Sequence, residues 1–113
     1  MATLNQCSFI GRLGNEPELK VTGDKGKPFT KFSLAIDQGK DEAPLWLQII
    51  CWDKLAEQME KLLYKGAQVY VQGRLKITPY EDKQHVKRQT IEIVATIVQL
   101  LDKAKATDEP AHE

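Results

Sequence analysis

The chain has 113 residues, 42% of them hydrophobic and 28% charged, and its 16 Lys and Arg balance 16 Asp and Glu. That length corresponds to one domain with a core of its own. No apolar run approaches the ~20 residues of a membrane span, and the N-terminus lacks the basic start and apolar stretch of a secretory signal. The two cysteines, Cys7 and Cys51, form no C-x-x-C pair, so we expect a reduced, cytoplasmic protein.

Most of the chain alternates between apolar and polar residues with period 2, which predicts β-strands. The predicted strands cover residues 5–13, 28–37, 45–52, 67–78 and 88–101, and a short extended piece covers residues 16–22. Between the third and fourth strands the period changes. Leu55, Met59 and Leu62 are spaced as on one side of a helix, which we predict over residues 53–64.

The order of three strands, a helix and two strands predicts an all-β fold with one helix. The five-stranded, partly open Greek-key barrel of the OB-fold has this order, with its helix between strands 3 and 4. A split β-sheet with a flanking helix is the alternative. We expect residues 1–101 to form the domain and residues 102–113 to form a short polar, disordered tail.

The alternation also predicts which side chains face the core. In the fourth strand the predicted inward residues are Val69, Val71, Gly73, Leu75 and Ile77. In the fifth strand Ile91, Ile93, Ala95 and Ile97 are predicted to share one face. The internal glycines, Gly11 and Gly73, are predicted to serve the curvature of the barrel.

The third strand, "LWLQIICW", contains the only two tryptophans. Leu45, Leu47, Ile49 and Cys51 form its uniformly apolar face, which is the natural core face, so Trp46 and Trp52 point the other way. Packing or an oligomer interface would explain such a pair of tryptophans. A surface on which nucleic-acid bases stack would also explain it, because every base has a π-face.

Cations accompany these aromatics. The outward strand positions include Arg12, Lys31, Arg74 and Lys76, and the last hairpin adds Lys83, Lys87 and Arg88. Aromatic and basic side chains on one face are typical of proteins that bind single strands.

Residues 5–101 resemble the bacterial single-stranded DNA-binding protein family. The similarity lies in "GRLGNEPELK", in "PFTKFSLAID" and above all in "WLQIICWDKLAEQMEKLLYKGAQVYVQGRL". The resemblance implies an OB-fold that assembles into a homo-oligomer, a dimer or usually a tetramer, and binds single-stranded DNA without sequence preference. It also implies that Trp46, Trp52 and Tyr80 occupy the positions whose aromatics stack on bases.

The chain departs from the family pattern in three places. The loop "QGKDEAP" is short and has no aromatic, and the tail after Leu101 has about a dozen residues where the family usually has a long flexible segment. The end "TDEPAHE" lacks the hydrophobic tip that recruits replication proteins in the family. Short relatives of this kind resemble those of cyanobacteria and plastids, and also the primosomal relative PriB. The alternative location is therefore the plastid stroma.

We therefore expect a protein that binds single-stranded DNA and protects it during replication, recombination and repair. The alternative is a PriB-like protein-interaction module with weak nucleic-acid binding, and an RNA-binding module shares the same surface chemistry. No H-E-x-x-H, phosphate-binding Gly-rich loop or other catalytic motif is present, so we expect neither an enzyme nor a cofactor or metal.

Overall fold

The computed structural model describes residues 2–23 and 26–103, and this part of the chain forms six strands and one helix. The elements are β1 (Cys7–Leu13), β2 (Glu18–Val21), β3 (Pro28–Ile36), β4 (Leu45–Trp52), α1 (Asp53–Leu62), β5 (Gln68–Glu81) and β6 (Lys87–Leu100). Within these described ranges, no helix has the length and apolarity that a bilayer crossing requires.

Five of the strands close into a barrel, because β1 pairs antiparallel with both β5 and β3. The ring runs β1–β5–β6–β4–β3 and back to β1, with β4 and β6 parallel and the other pairs antiparallel. The short strand β2 only lengthens the sheet beside β3. With β2 set aside, α1 follows the third barrel strand, so the predicted OB-fold is confirmed and the split sheet is not formed.

The core lies inside this ring. Phe32, Leu34, Ile49, Val71 and Ile93 are fully buried there, and α1 adds the buried side chains of Ala56 and Met59. On the predicted core face of β4, Ile49 and Cys51 are buried and Leu47 is half-buried. Leu45, at the strand's first position, is exposed.

Two glycines allow barrel strands to approach each other closely. A Cβ on Gly11 would lie 2.4 Å from the carbonyl oxygen of Ala35 on β3, and one on Gly73 would lie 2.2 Å from that of Val94 on β6. Neither position can hold a larger residue unless a backbone moves. Both glycines therefore serve the barrel itself, as predicted.

The prediction that Ile97 shares a face with Ile93 and Ala95 was wrong, because β6 contains a β-bulge. Gln72 pairs with Ile97 and Gly73 pairs with Ala95, which leaves Thr96 without a partner on β5. One extra residue reverses the alternation. Val98 and Leu100 therefore turn toward the core, and Ile97 is exposed.

The predicted inward positions of Leu75 and Ile77 were also wrong, and Ile91 on the facing strand is exposed as well. β5 pairs with β1 only as far as Gly73, and β6 pairs with β4 only from Glu92 to Val94. Beyond these points β5 and β6 pair only with each other and leave the barrel as a hairpin. The three side chains consequently lie on an exposed face of that hairpin.

Packing continues past Leu101 to the last described residues. The Oδ2 atom of Asp102 accepts hydrogen bonds from the Gln68 backbone N–H at 2.9 Å and from Arg12 Nη1 at 3.0 Å, and the Tyr64 hydroxyl donates to the Lys103 carbonyl at 2.8 Å. Residues 104–113 lie outside the described ranges. The division at residue 101 and the disordered tail therefore stay predictions.

Replacing Gly73 with alanine should lower the free energy of unfolding by about 2 kcal/mol or more, since the new methyl group overlaps the backbone of β6. Gly23→Ala is the matched control, because a Cβ there meets no atom within 4 Å. Urea unfolding followed by circular dichroism would measure both variants. Equal stabilities would contradict the close approach at Gly73.

Candidate nucleic-acid interface

The register of four strands arranges the predicted site residues in rows across the outside of the barrel. One row consists of Lys31, Ile50, Val94 and Arg74, and the next consists of Ser33, Gln48, Glu92 and Lys76. Trp46 lies beside Ala35 on β3, and Trp52 lies beside Phe29. We call the surface formed by these two rows, by the pair Phe29–Trp52 and by the pair Ala35–Trp46 the outer face.

Trp46 is both exposed and anchored. Its side chain is 55% exposed, yet its ring lies so close to Gly14 that a Cβ there would be 2.6 Å from ring atom Cζ3. The absence of a side chain at Gly14 gives the indole a backbone surface to rest on. Trp46 therefore presents a large fixed aromatic surface to solvent.

Trp52 belongs to a cluster of aromatics and cations. Its ring centroid is 5.3 Å from that of Phe29, with an angle of 41° between the planes. The Nζ atom of Lys27 lies 5.1 Å from the Trp52 centroid and 3.7 Å from the Asp53 carboxylate. Trp52 is thus half-buried, with a cation over its ring.

Phe29 was missed by the sequence analysis. It shares the period-2 phase of Lys31 on β3, and this phase was the available signal for an outward aromatic. The register then brings it directly opposite Trp52.

Glu92 was missed as well. Its carboxylate lies 3.2 Å from Lys31 Nζ, and its side chain is only 15% exposed. The bridge joins β3 to β6 across β4, and Ile50, which lies between them on the outer face, is only 5% exposed. A carboxylate thus stands among the cations of this face.

The hairpin extends the outer face beyond the barrel. Tyr80 pairs with Arg88 two rows after Lys76, so both side chains point to the side that carries Arg74 and Lys76. Tyr80 is about half exposed. Lys83 lies in the turn, and Lys87, which pairs with Glu81, points to the opposite side of the hairpin.

The predicted cations differ in whether a carboxylate lies close to them. Arg88 Nε lies 2.6 Å from Asp82, and this hydrogen bond is the first cause of the lowered pKa of Asp82. Arg12 lies in the row of Trp46, but its guanidinium bonds to Asp102 and to the Gly66 carbonyl. Within the described ranges, four predicted cations have no carboxylate within 4 Å, namely Arg74, Lys76, Lys83 and Lys87.

The described residues offer little reactive chemistry. Burial raises the pKa of the Cys51 thiol to about 12, so this thiol stays protonated near neutral pH. In the described part of the chain, no three His, Cys, Asp or Glu side chains are grouped closely enough to hold a metal ion. The surface can stack on flat rings and attract anions.

Comparison with known proteins agrees with this geometry. The model of the single-strand binding protein family matches residues 4–101. Single-stranded DNA-binding protein 1 of Chlorobaculum tepidum is 40% identical over an alignment of 106 residues, and the match covers 87% of this chain and 65% of that protein. The chain therefore spans somewhat less than two thirds of that relative's length.

Two further relatives cover more of their own length. Single-stranded DNA-binding protein 1 of Xylella fastidiosa is 37% identical over 111 residues, 91% of this chain and 81% of that protein. The single-stranded DNA-binding protein of Clostridium tetani is 36% identical over 104 residues, 88% of this chain and 71% of that protein. These are binding proteins, which confirms that the chain is not an enzyme. The chain belongs to the single-strand binding protein family.

Proposed function

We propose that this protein binds single-stranded DNA without sequence preference, by stacking bases on aromatics of the outer face and holding phosphates with nearby cations. The observation that carries the proposal is the strand register, which aligns Trp46, Trp52 and Tyr80 with Arg74 and Lys76 on one side of the barrel and its hairpin. The names of the relatives support the choice of ligand.

Stacking supplies the part of the affinity that does not depend on base sequence. Each stacked base contributes about 1–3 kcal/mol. Six residues of strand at about 3.3 Å each separate Trp46 from Trp52 by roughly 20 Å, so the two rings engage bases several nucleotides apart. Tyr80 continues the path onto the hairpin.

Phosphate contacts supply the salt-dependent part. Arg74, Lys76 and Lys83 are exposed and have no carboxylate within 4 Å among the described residues. Each phosphate that such a cation neutralises on a single strand makes the slope of log K against log salt steeper by about 0.7.

The biological role that follows is protection of exposed single strands during replication, recombination and repair. The named relatives are bacterial, and we propose the bacterial cytoplasm as the place of action. The plastid alternative stays a prediction.

Intrinsic fluorescence tests the proposal, because Trp46 and Trp52 are the only tryptophans. Titration with an oligo-dT of about 35 nucleotides should quench the fluorescence to saturation, with an affinity that falls steeply as salt rises. No quenching at low salt by the folded protein would overturn the proposal. A uridine oligomer of the same length would separate DNA from RNA preference.

Three variants separate stacking from charge. Trp46→Ala should weaken binding about 5- to 150-fold, the equivalent of one stacked base, and leave the salt slope unchanged. Lys76→Gln should reduce the slope by about 0.7. Lys54→Gln, on the exposed side of α1, removes the same charge away from the outer face and should change neither quantity.

The alternative, a protein-interaction module with weak DNA binding, is favoured by one observation. Arg12, Lys31 and Arg88, all predicted to contact phosphate, each lie within 4 Å of a carboxylate. This module would show little quenching and a shallow salt dependence, so the same titration distinguishes the two functions.

We also propose that the protein forms a homo-oligomer through β1. The strand pairs with β5 from Cys7 to Arg12, but it pairs with β3 only at Arg12 and Leu13. Within the described residues, the other edge of Cys7–Gly11 therefore has no strand beside it, and such an edge can pair with a second copy. Ile10, on this strand, is an exposed apolar side chain.

Ile10→Asp should shift the protein from oligomer to monomer, because the change places a charge in the contact between copies. Val21→Asp, at an exposed position on β2, is the matched control and should leave the oligomer intact. Sedimentation velocity would measure both. A wild-type protein that sediments as a monomer at micromolar concentrations would contradict the proposal.

A further inference from the structure

Acidic partners accompany several cations around the outer face. In three of these pairs the distance from the side-chain nitrogen to the carboxylate oxygen is 3.7 Å (Lys27 and Asp53), 3.2 Å (Lys31 and Glu92) and 2.6 Å (Arg88 and Asp82). These pairs leave the surface less positive than its lysines and arginines suggest, in line with the net charge of zero.

The pair of Lys31 and Glu92 differs from the others in its position. Glu92 has the least exposed carboxylate of the three, and its row places it between Gln48 and Lys76. The bridge crosses the middle strand β4, and Lys31 Nζ is also 5.9 Å from the ring centroid of Phe29, which packs on Trp52. The pair thus lies between the aromatic cluster and Arg74 and Lys76, which have no carboxylate within 4 Å among the described residues.

We propose that Glu92 is an internal competitor of DNA phosphate for Lys31, and that it thereby limits the affinity of the outer face. This inference rests on the proposed function. In the free protein the carboxylate holds the ammonium group. When DNA binds, the carboxylate keeps its share of the ammonium group and repels a nearby phosphate, so that Lys31 neutralises little of the phosphate charge.

The net charge of the pair determines its effect on the salt dependence of DNA binding. Lys31 and Glu92 together are neutral, so the pair adds no net positive charge to the surface that DNA contacts. Counterion release from a single strand follows the phosphates that are neutralised. Removal of the carboxylate charge would leave Lys31 as a full cation and add about 0.7 to the steepness of the salt slope.

Glu92→Gln tests this in the full chain, because the amide keeps the size of the side chain and loses only its charge. With the same oligo-dT, the variant should bind roughly 3- to 10-fold more tightly at low salt, with a slope steeper by about 0.7. Glu57→Gln, on the exposed side of α1, makes the same charge change at a site without a described ion pair and should match wild type.

Lys31→Met separates competition from a merely structural bridge, since methionine keeps most of the apolar stem. Competition predicts opposite signs: Lys31→Met weakens binding and Glu92→Gln strengthens it, and the slope increment disappears in the double variant. A structural bridge predicts that both single variants lower the melting temperature and weaken binding, and that result would overturn the inference.

The remaining outcomes are also distinct. If wild type binds and Glu92→Gln binds equally or less tightly, the competitor role is wrong and the proposed function stands. If neither protein binds at low salt while both are folded, the proposed function fails and the inference fails with it. A slope increment that persists with Lys31→Met would likewise reject competition through Lys31.

Discussion

Closure of the barrel is the constraint on which the other features depend. β1 must reach both β5 and β3, and Gly11 permits its close approach to Ala35 on β3. Gly73 permits the equally close approach of β5 to Val94 on β6, the next pair of strands in the ring. Once the ring closes, the register of β3, β4, β6 and β5 is fixed, because a slip of one residue would turn the core side chains outward. The same register that buries Ile49 and Ile93 aligns the rows of the outer face.

The outer face combines two kinds of interaction that respond differently to conditions. Trp46 rests on the bare backbone of Gly14, and Trp52 packs on Phe29, so both rings are held in place before any ligand arrives. Rings that are already ordered lose less side-chain entropy on binding. The cations, by contrast, are partly engaged with carboxylates, so electrostatic attraction to a polyanion is moderated in the free protein.

The period-2 alternation predicted the buried and exposed side chains well where one face of a strand packs on the core and the other faces solvent along its whole length. On β4 it correctly separated the tryptophans from the buried Ile49 and Cys51. It failed for Ile97, because the bulge at Thr96 shifts the alternation of β6 by one residue. It failed for Leu75 and Ile77, because β5 extends beyond the barrel that would bury these side chains. The alternation of apolar and polar residues reveals neither a bulge nor the position at which a neighbouring strand ends.

The sequence by itself determined the order of strands and helix, the family, and the presence of aromatics and cations on outward positions, because these depend on local alternation and on motifs. Only the tertiary structure decided which of those side chains act on one another. Phe29 packs on Trp52 through the register of two successive strands, β3 and β4. Lys31 and Glu92 join strands that are distant in the chain, and Arg12 bonds to Asp102 from the far end of the domain. Such contacts follow from strand register across the closed barrel, which no local pattern encodes.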